Sequence, residues 1–462
     1  MLRTGTTTSS PPPPPVPPPP LPRSPPRTWL ARGRGTDLRL ALDPYRAILS
    51  VIMLLTNSRI HSHFPAIARV RPVLVLFVLA LTCAVLAPGL VTLKAVFRTW
   101  PPQVVAALAI LACLSVPFGI NFGGAAKYLL TTYASVLLFT FLLFIGIRSA
   151  RELYTLVWAF VASMGLLVWQ SLAVFHLSVV PGTSIERLSQ LYSYDSNDAG
   201  CVLIVGLVLT LLAFLTAGKK GKAAGAVLLI GIGVALARTG SRGAFVGLIG
   251  TGCALLLSLK QVSAVKRMGF VAVVVAGLVL AAPQGYWENV GTVLHPTEDY
   301  NWDSPEGRRE IWRRGIGYMV DHPVFGLGIS NFERAEGTIS DKARRRFAAT
   351  PVRWTAPHNS FIEVGSELGV PGLVVWSSLI VGGIVGMTRL RRRLPEAWLH
   401  GDPEERFLYL ATIDLPLALV SFAITAFFLS FAYLDIVYVL VAFIAGVYVA
   451  VGEKLRRAGV RR

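Results

Sequence analysis

Charge is scarce in this 462-residue sequence: 15% of residues are Asp, Glu, Lys or Arg, against 53% hydrophobic. Acid is scarcer still, with 25 Asp and Glu facing 44 Lys and Arg, for a net charge of +19. With a mean hydropathy of +0.59, this excludes an ordinary water-soluble domain, in which about a quarter of residues are charged. Cysteine is rare too. Cys83, Cys113, Cys201 and Cys253 all fall inside apolar runs without metal-ligand spacing, so they read as packing residues. No apolar segment follows the first basic residues, so no cleavable signal peptide is expected.

What the sequence has instead is long apolar runs. A bilayer core of roughly 30 Å requires about 20 apolar residues per helix. Such runs occur at 73–93, 102–120, 127–147, 152–177, 199–217, 224–238, 244–259, 268–283, 370–388, 409–430 and 434–452. The expected fold is all-α: a polytopic integral membrane protein of 11–12 transmembrane helices with a large helical extracytoplasmic loop. A shorter apolar stretch, Ala47 to Leu55, is either a twelfth span or an interfacial helix.

Composition divides the chain further. Residues 1–40 form a cytoplasmic tail whose PPPPPVPPPP core predicts a solvated polyproline-like segment without a packed core. Residues 41–283 form an N-terminal transmembrane bundle, 284–369 a loop, 370–452 the C-terminal spans and 453–462 a basic cytoplasmic tail. Lys and Arg in short loops mark the cytoplasmic side. One alternating set of connections carries Lys94, Arg98, Arg148, Arg151, Lys219, Lys220, Lys222, Lys260, Lys266, Arg267, Arg389, Arg391 to Arg393 and Arg406; the other carries only Lys127, Arg187, Arg238 and Arg242. The C-terminus is therefore expected in the cytoplasm and the 284–369 loop outside. Because the basic residues sit at helix ends and tails, the positive charge reads as topology and no nucleic-acid partner is expected.

Three segments on the expected outer face carry polar groups. IERLSQLYSYDSNDAG (185–200) offers Arg187, Asp195, Asn197 and Asp198, and reads equally as a polar turn with Asn197 or Asp198 capping the next helix. In TGSRG (239–243), Arg242 either meets an anionic partner or snorkels to the headgroups. The 284–369 loop is too long for a plain connection. Within it, Ser304 and Pro305 open a helix expected to reach about Asp321. Ile311, Trp312, Ile316 and Met319 form its apolar face and Arg308, Arg309, Arg313 and Arg314 its charges. Further on, PHNSFIEVGSELGVPG places His358 at a helix start, as a cap or as a catalytic group, with Asn359, Glu363 and Glu367 along one stripe.

These motifs together resemble the O-antigen ligase and polymerase superfamily of bacterial cell-envelope glycan enzymes. The resemblance is carried by TGSRGAFVGL, the GRxEIW helix from Gly307, HPVFGLGISNF (322–332) and HNSFIEVGSELGVPG (358–372). It implies a GT-C-like membrane architecture that transfers a glycan from undecaprenyl diphosphate to an acceptor hydroxyl on a lipid or glycan, inverting and without metal or other cofactor. By resemblance, His358 is the general base; Arg242 and Arg308 contact the diphosphate, with Arg187 a third contact. Arg309 competes with Arg308, but the family's four-residue interval to the tryptophan favours Arg308. Asn359 and Glu363 fall among the substrate-binding residues, Glu363 orienting the histidine or a sugar hydroxyl. The resemblance does not separate a ligase from a repeat-unit polymerase. A solute transporter of the bicarbonate type is the alternative of another class, and predicts ionisable residues at mid-membrane depth.

Overall fold

The computed structural model describes residues 38–459 apart from 95, 181–182, 190–193, 259–262, 296–301, 303–306, 342 and 344–353. The Pro-rich tail and the Ser304–Pro305 helix opening lie outside the described residues. In hydrocarbon each backbone N–H and C=O must be satisfied within its own segment, which is why the apolar runs fold as helices.

Nine described helices are long and apolar enough to span a membrane: α3 (Trp100–Phe118), α4 (Phe122–Gly146), α5 (Ala150–Val174), α6 (Ser196–Thr216), α7 (Lys219–Thr239), α9 (Ala264–Ala281), α13 (Ser360–Arg393), α14 (Pro403–Ala426) and α15 (Asp435–Arg457). Two shorter apolar helices, α2 (Pro72–Leu86) and α8 (Arg242–Ser258), occupy the other expected runs. The protein is a polytopic all-α membrane protein. Its core lies along α6, α14 and α15, whose apolar windows are 83–89% buried; α9, at 11%, lies on the rim.

The Ala47–Leu55 stretch lies within α1 (Pro44–Ser58). At one end the Ala41 N–H donates to Thr155 Oγ1 (2.8 Å), and at the other Gln170 Nε2 donates to the Ser58 carbonyl (3.0 Å). The helix therefore runs parallel to α5 along its length. It is amphipathic because one face meets the bundle. Tyr45, Leu49, Ile52 and Met53 are fully buried there, and so is Arg46, which is ion-paired with Asp43 (3.1 Å) and Glu152 (3.0 Å).

Two ends of the bundle follow from the connections. The basic end holds the Lys- and Arg-rich turns, including Arg148 bonded to the Gly89 carbonyl. The motif end holds TGSRG, a short hairpin of β1 (Leu177–Val179) and β2 (Glu186–Leu188), and the long loop with helices α10 (Tyr286–Gly291), α11 (Arg308–Asp321) and α12 (Phe332–Thr338).

α13 begins at Ser360 and is broken at Gly369 (φ 71°), ahead of Pro371. Proline has no N–H to return to the Glu367 carbonyl, so the break leaves acceptors unsatisfied. The HPVFGLGISNF segment supplies the missing partners: the Leu327 N–H donates to the Ser366 carbonyl (2.8 Å) and the Gly328 N–H to the Glu367 carbonyl (3.0 Å). In return the Val370 N–H donates to the Pro323 carbonyl (2.8 Å). A methyl group on Gly369 would meet the Val324 carbonyl oxygen at 2.6 Å, so glycine is required both for the positive φ and for the approach.

Candidate functional site

Ser241 opens α8: its hydroxyl accepts from the Ala244 N–H (3.2 Å) and donates to Asn197 Oδ1 (2.8 Å). Asn197 belongs to the first motif, so the two turns lock together. The cap of α6 is Asp195, not Asn197 or Asp198, in a reciprocal capping box with Asp198. Arg242 occupies the first helical position after Ser241, half-buried, and its Nη1 donates to Thr292 Oγ1 (2.8 Å). Asn289 of α10 donates to the Gly240 carbonyl (2.7 Å), docking the start of the long loop on the arginine turn. Arg187 in β2 lies against the same turn, its Cβ 2.9 Å from where a methyl on Gly240 would stand.

α11 starts at Arg308 with Gly307 as its N-cap. Arg308 is half-buried and Arg309 exposed. The expected apolar face is only partly right. Ile311 is buried, Trp312 and Met319 partly so, but Ile316 is 54% exposed. Arg314 and Tyr318 complete the buried stripe instead. The Arg314 guanidinium grips Glu336 of α12 with two bonds (2.8 and 2.6 Å), and the Tyr318 hydroxyl donates to the same carboxylate (3.0 Å). Burial, reinforced by Glu336, raises the Tyr318 pKa, so the phenol remains a donor. Arg314 is thus committed to holding the loop together.

His358 precedes α13 in the left-handed region (φ 46°), a strained conformation for a residue with a Cβ. It is half-buried. Asn359, buried behind it, caps α13 by accepting from the Phe361 and Ile362 N–H groups (3.0 and 3.2 Å). The cap of α13 therefore falls to Asn359. Glu363 accepts from the Ala432 N–H (3.2 Å), and Glu367 from the Ser330 and Phe332 N–H groups (2.7 and 3.0 Å).

The three motif segments converge on the turn between α14 and α15, residues 427–434. Phe428 packs on Gly243, beside Arg242, its Cβ 2.9 Å from where a methyl on that glycine would stand. Phe427 meets the Trp312 ring edge-on, with centroids 5.1 Å apart, and Trp312 Nε1 donates to the Pro357 carbonyl (2.9 Å). Ser430 Oγ accepts the His358 N–H (3.1 Å), and Ser360 Oγ bridges the Leu429 carbonyl (2.7 Å) and the Phe431 N–H (2.8 Å). One turn thus holds the backbones from which Arg242, Arg308 and His358 project. Sequence reasoning separates the two helices at 431–433 but gives that connection no part in the site, because FFLSFAYL is apolar; Ser430 is the one signal within it.

Arg59 is a second residue at this end that sequence patterning does not single out. At the end of α1, its guanidinium lies over the Tyr194 ring, 5.3 Å from the centroid, and Tyr194 packs on Phe431 of the same turn. A further point bears on the transport alternative. Asp414, in the middle of α14, is fully buried, and neither of its carboxylate oxygens has a hydrogen-bond partner among the described residues. Among those residues no group of three or more His, Cys, Asp or Glu is placed to hold a metal ion.

The fold and these motifs define a multi-pass helical membrane protein with arginines and a histidine gathered at one end of the bundle. Residues 224–377 match the O-antigen ligase family model, a stretch that includes TGSRG, the arginine helix and His358. That match, over about a third of the chain, supports membership of the O-antigen ligase superfamily. Members of that family are glycosyltransferase-like enzymes acting on lipid-linked glycans. No curated protein matches the chain.

Proposed function

We propose that the protein transfers a glycan from undecaprenyl diphosphate to an acceptor hydroxyl at the extracytoplasmic face of the cytoplasmic membrane, as an O-antigen ligase-like enzyme. The observation that carries this reading is the convergence on residues 427–434 of the segments bearing Arg242, Arg308 and His358. The leaving group is a lipid diphosphate, so negative charge grows on its oxygens as the glycosidic bond breaks. Guanidinium groups suit that charge, because they stay ionised and donate paired hydrogen bonds to phosphate. Arg242 and Arg308 take that role, with Arg187 beside the Arg242 turn as a third contact and the exposed Arg309 as the weaker neighbour of Arg308. His358 removes the proton from the acceptor hydroxyl as its oxygen attacks the anomeric carbon. A single displacement inverts that carbon and needs neither a covalent intermediate nor a metal. Asn359 and Glu363 support the site by fixing the start of α13 and its approach to Ala432.

This reading requires the long loop to face outward, as the clustering of Lys and Arg at the opposite end supports. Thr338, exposed at the end of α12, reports on that face. A single cysteine at Thr338 should react with a membrane-impermeant thiol reagent in intact cells stripped of any outer barrier. Reaction only after the cytoplasmic side is opened would overturn the orientation.

A further inference from the structure

A cavity of about 650 Å³ opens at the basic end, remote from the motif segments. Lys222 of α7, Lys266 of α9 and Arg406 of α14 line it, and its wall is apolar where Phe214, Leu215 and Leu410 contribute. Among the described residues none of these three cations is ion-paired. Nearby acids are already engaged. Glu404 is paired with Arg151, Asp402 with Lys454, and Glu405, which packs on Gly401 at the cavity edge, accepts the Asp402 N–H in a capping box. Three cations in one concavity repel each other unless an anion enters. All three also sit in the first turn of their helices, where the backbone dipole adds positive potential.

We propose that this cavity binds the phosphate-bearing headgroup of an anionic phospholipid of the cytoplasmic leaflet. The acyl chains then lie against the apolar wall, which a free phosphate would leave uncovered. The volume falls within the roughly 300–1,000 Å³ of small-molecule sites, and basic pockets between helices at the cytoplasmic side suit lipid phosphates. The fold gives the lipid a structural task. α9 buries only Val274 and Leu278 against the protein, and a headgroup held jointly by Lys266, Lys222 and Arg406 would tie this rim helix to α7 and to the central α14.

The test uses the full-length protein in nanodiscs of phosphatidylcholine with or without phosphatidylglycerol, with retained lipids counted by native mass spectrometry and thermal unfolding followed in parallel. At about 1 kcal/mol per basic residue near a headgroup, wild type should retain phosphatidylglycerol with at least roughly tenfold preference and unfold at higher temperature in its presence. The Lys222→Gln/Lys266→Gln/Arg406→Gln variant should lose both effects. Lys222→Arg/Lys266→Arg should keep them, which separates lost charge from misfolding. Arg391→Gln/Arg392→Gln/Arg393→Gln, equally basic and at the same end, should also keep them. Undiminished preference in the cavity variant, equal loss in both Gln triples, or full stabilisation by inorganic phosphate in phosphatidylcholine alone would each overturn the proposal.

Discussion

His358→Ala should abolish measurable glycan transfer, a loss of about 100- to 10,000-fold if the imidazole is the general base. The protein should still insert, fold and bind the lipid-linked donor. Ser430 holds the backbone N–H of His358, and Asn359 rather than His358 caps α13, so neither support depends on the imidazole. An alanine must adopt the same left-handed backbone, so folding is checked alongside turnover. Donor binding and turnover must be measured separately. Transfer at the wild-type rate by purified His358→Ala would eliminate the base, whereas loss of donor binding together with turnover would make His358 a binding residue.

Arg242→Lys and Arg308→Lys should each slow transfer by about 10- to 100-fold, although both retain the charge. A lysine cannot present paired donors to a phosphate, and a hydrogen bond to a charged group is worth about 1.5–3 kcal/mol. The comparator matters. Arg314 is unsuitable, since it is buried in a two-bond pair with Glu336 and its replacement damages the loop itself. Removing one partner of such a pair costs about 3–5 kcal/mol. Arg313 is mostly exposed and, among the described residues, paired with Glu310, so Arg313→Lys should leave turnover near wild type. Equal, near-native turnover in the Arg242, Arg308 and Arg313 variants at matched expression would remove the diphosphate role.

The spans were legible because the bilayer imposes one length and one composition on each crossing helix. α1 was ambiguous for a physical reason: it carries Arg46 and polar groups that a lone membrane helix could not bear, and these are met only by Asp43, Glu152 and the α5 surface. Such compensation is tertiary and leaves no local pattern. The break in α13 was partly visible in LGVPG, yet its purpose was not. Only the structure joins that kink to HPVFGLGISNF, turning two separate motifs into one interlocked unit.

On α11, periodicity alone favoured Ile316 over Arg314 as a buried residue, because hydropathy does not register a salt bridge. A buried Arg314 becomes tolerable through Glu336, 22 positions further on. The extent and role of the turn at residues 427–434 were hidden for the opposite reason: its residues are apolar enough to extend either flanking helix. Phe427 and Phe428 are turn residues that pack on Trp312 and Gly243.

The central claim is that this chain moves a glycan off a lipid diphosphate, and reconstitution measures that most directly. Purified protein in liposomes should be given an undecaprenyl-diphosphate-linked glycan and a hydroxyl-bearing acceptor, and both the freed undecaprenyl diphosphate and the product's anomeric configuration recorded. The account predicts one undecaprenyl diphosphate released per glycan joined to acceptor, with the anomeric configuration inverted and with no release by His358→Ala. Solute movement across the liposome without any glycan transfer, or a product retaining the donor's configuration, would contradict it.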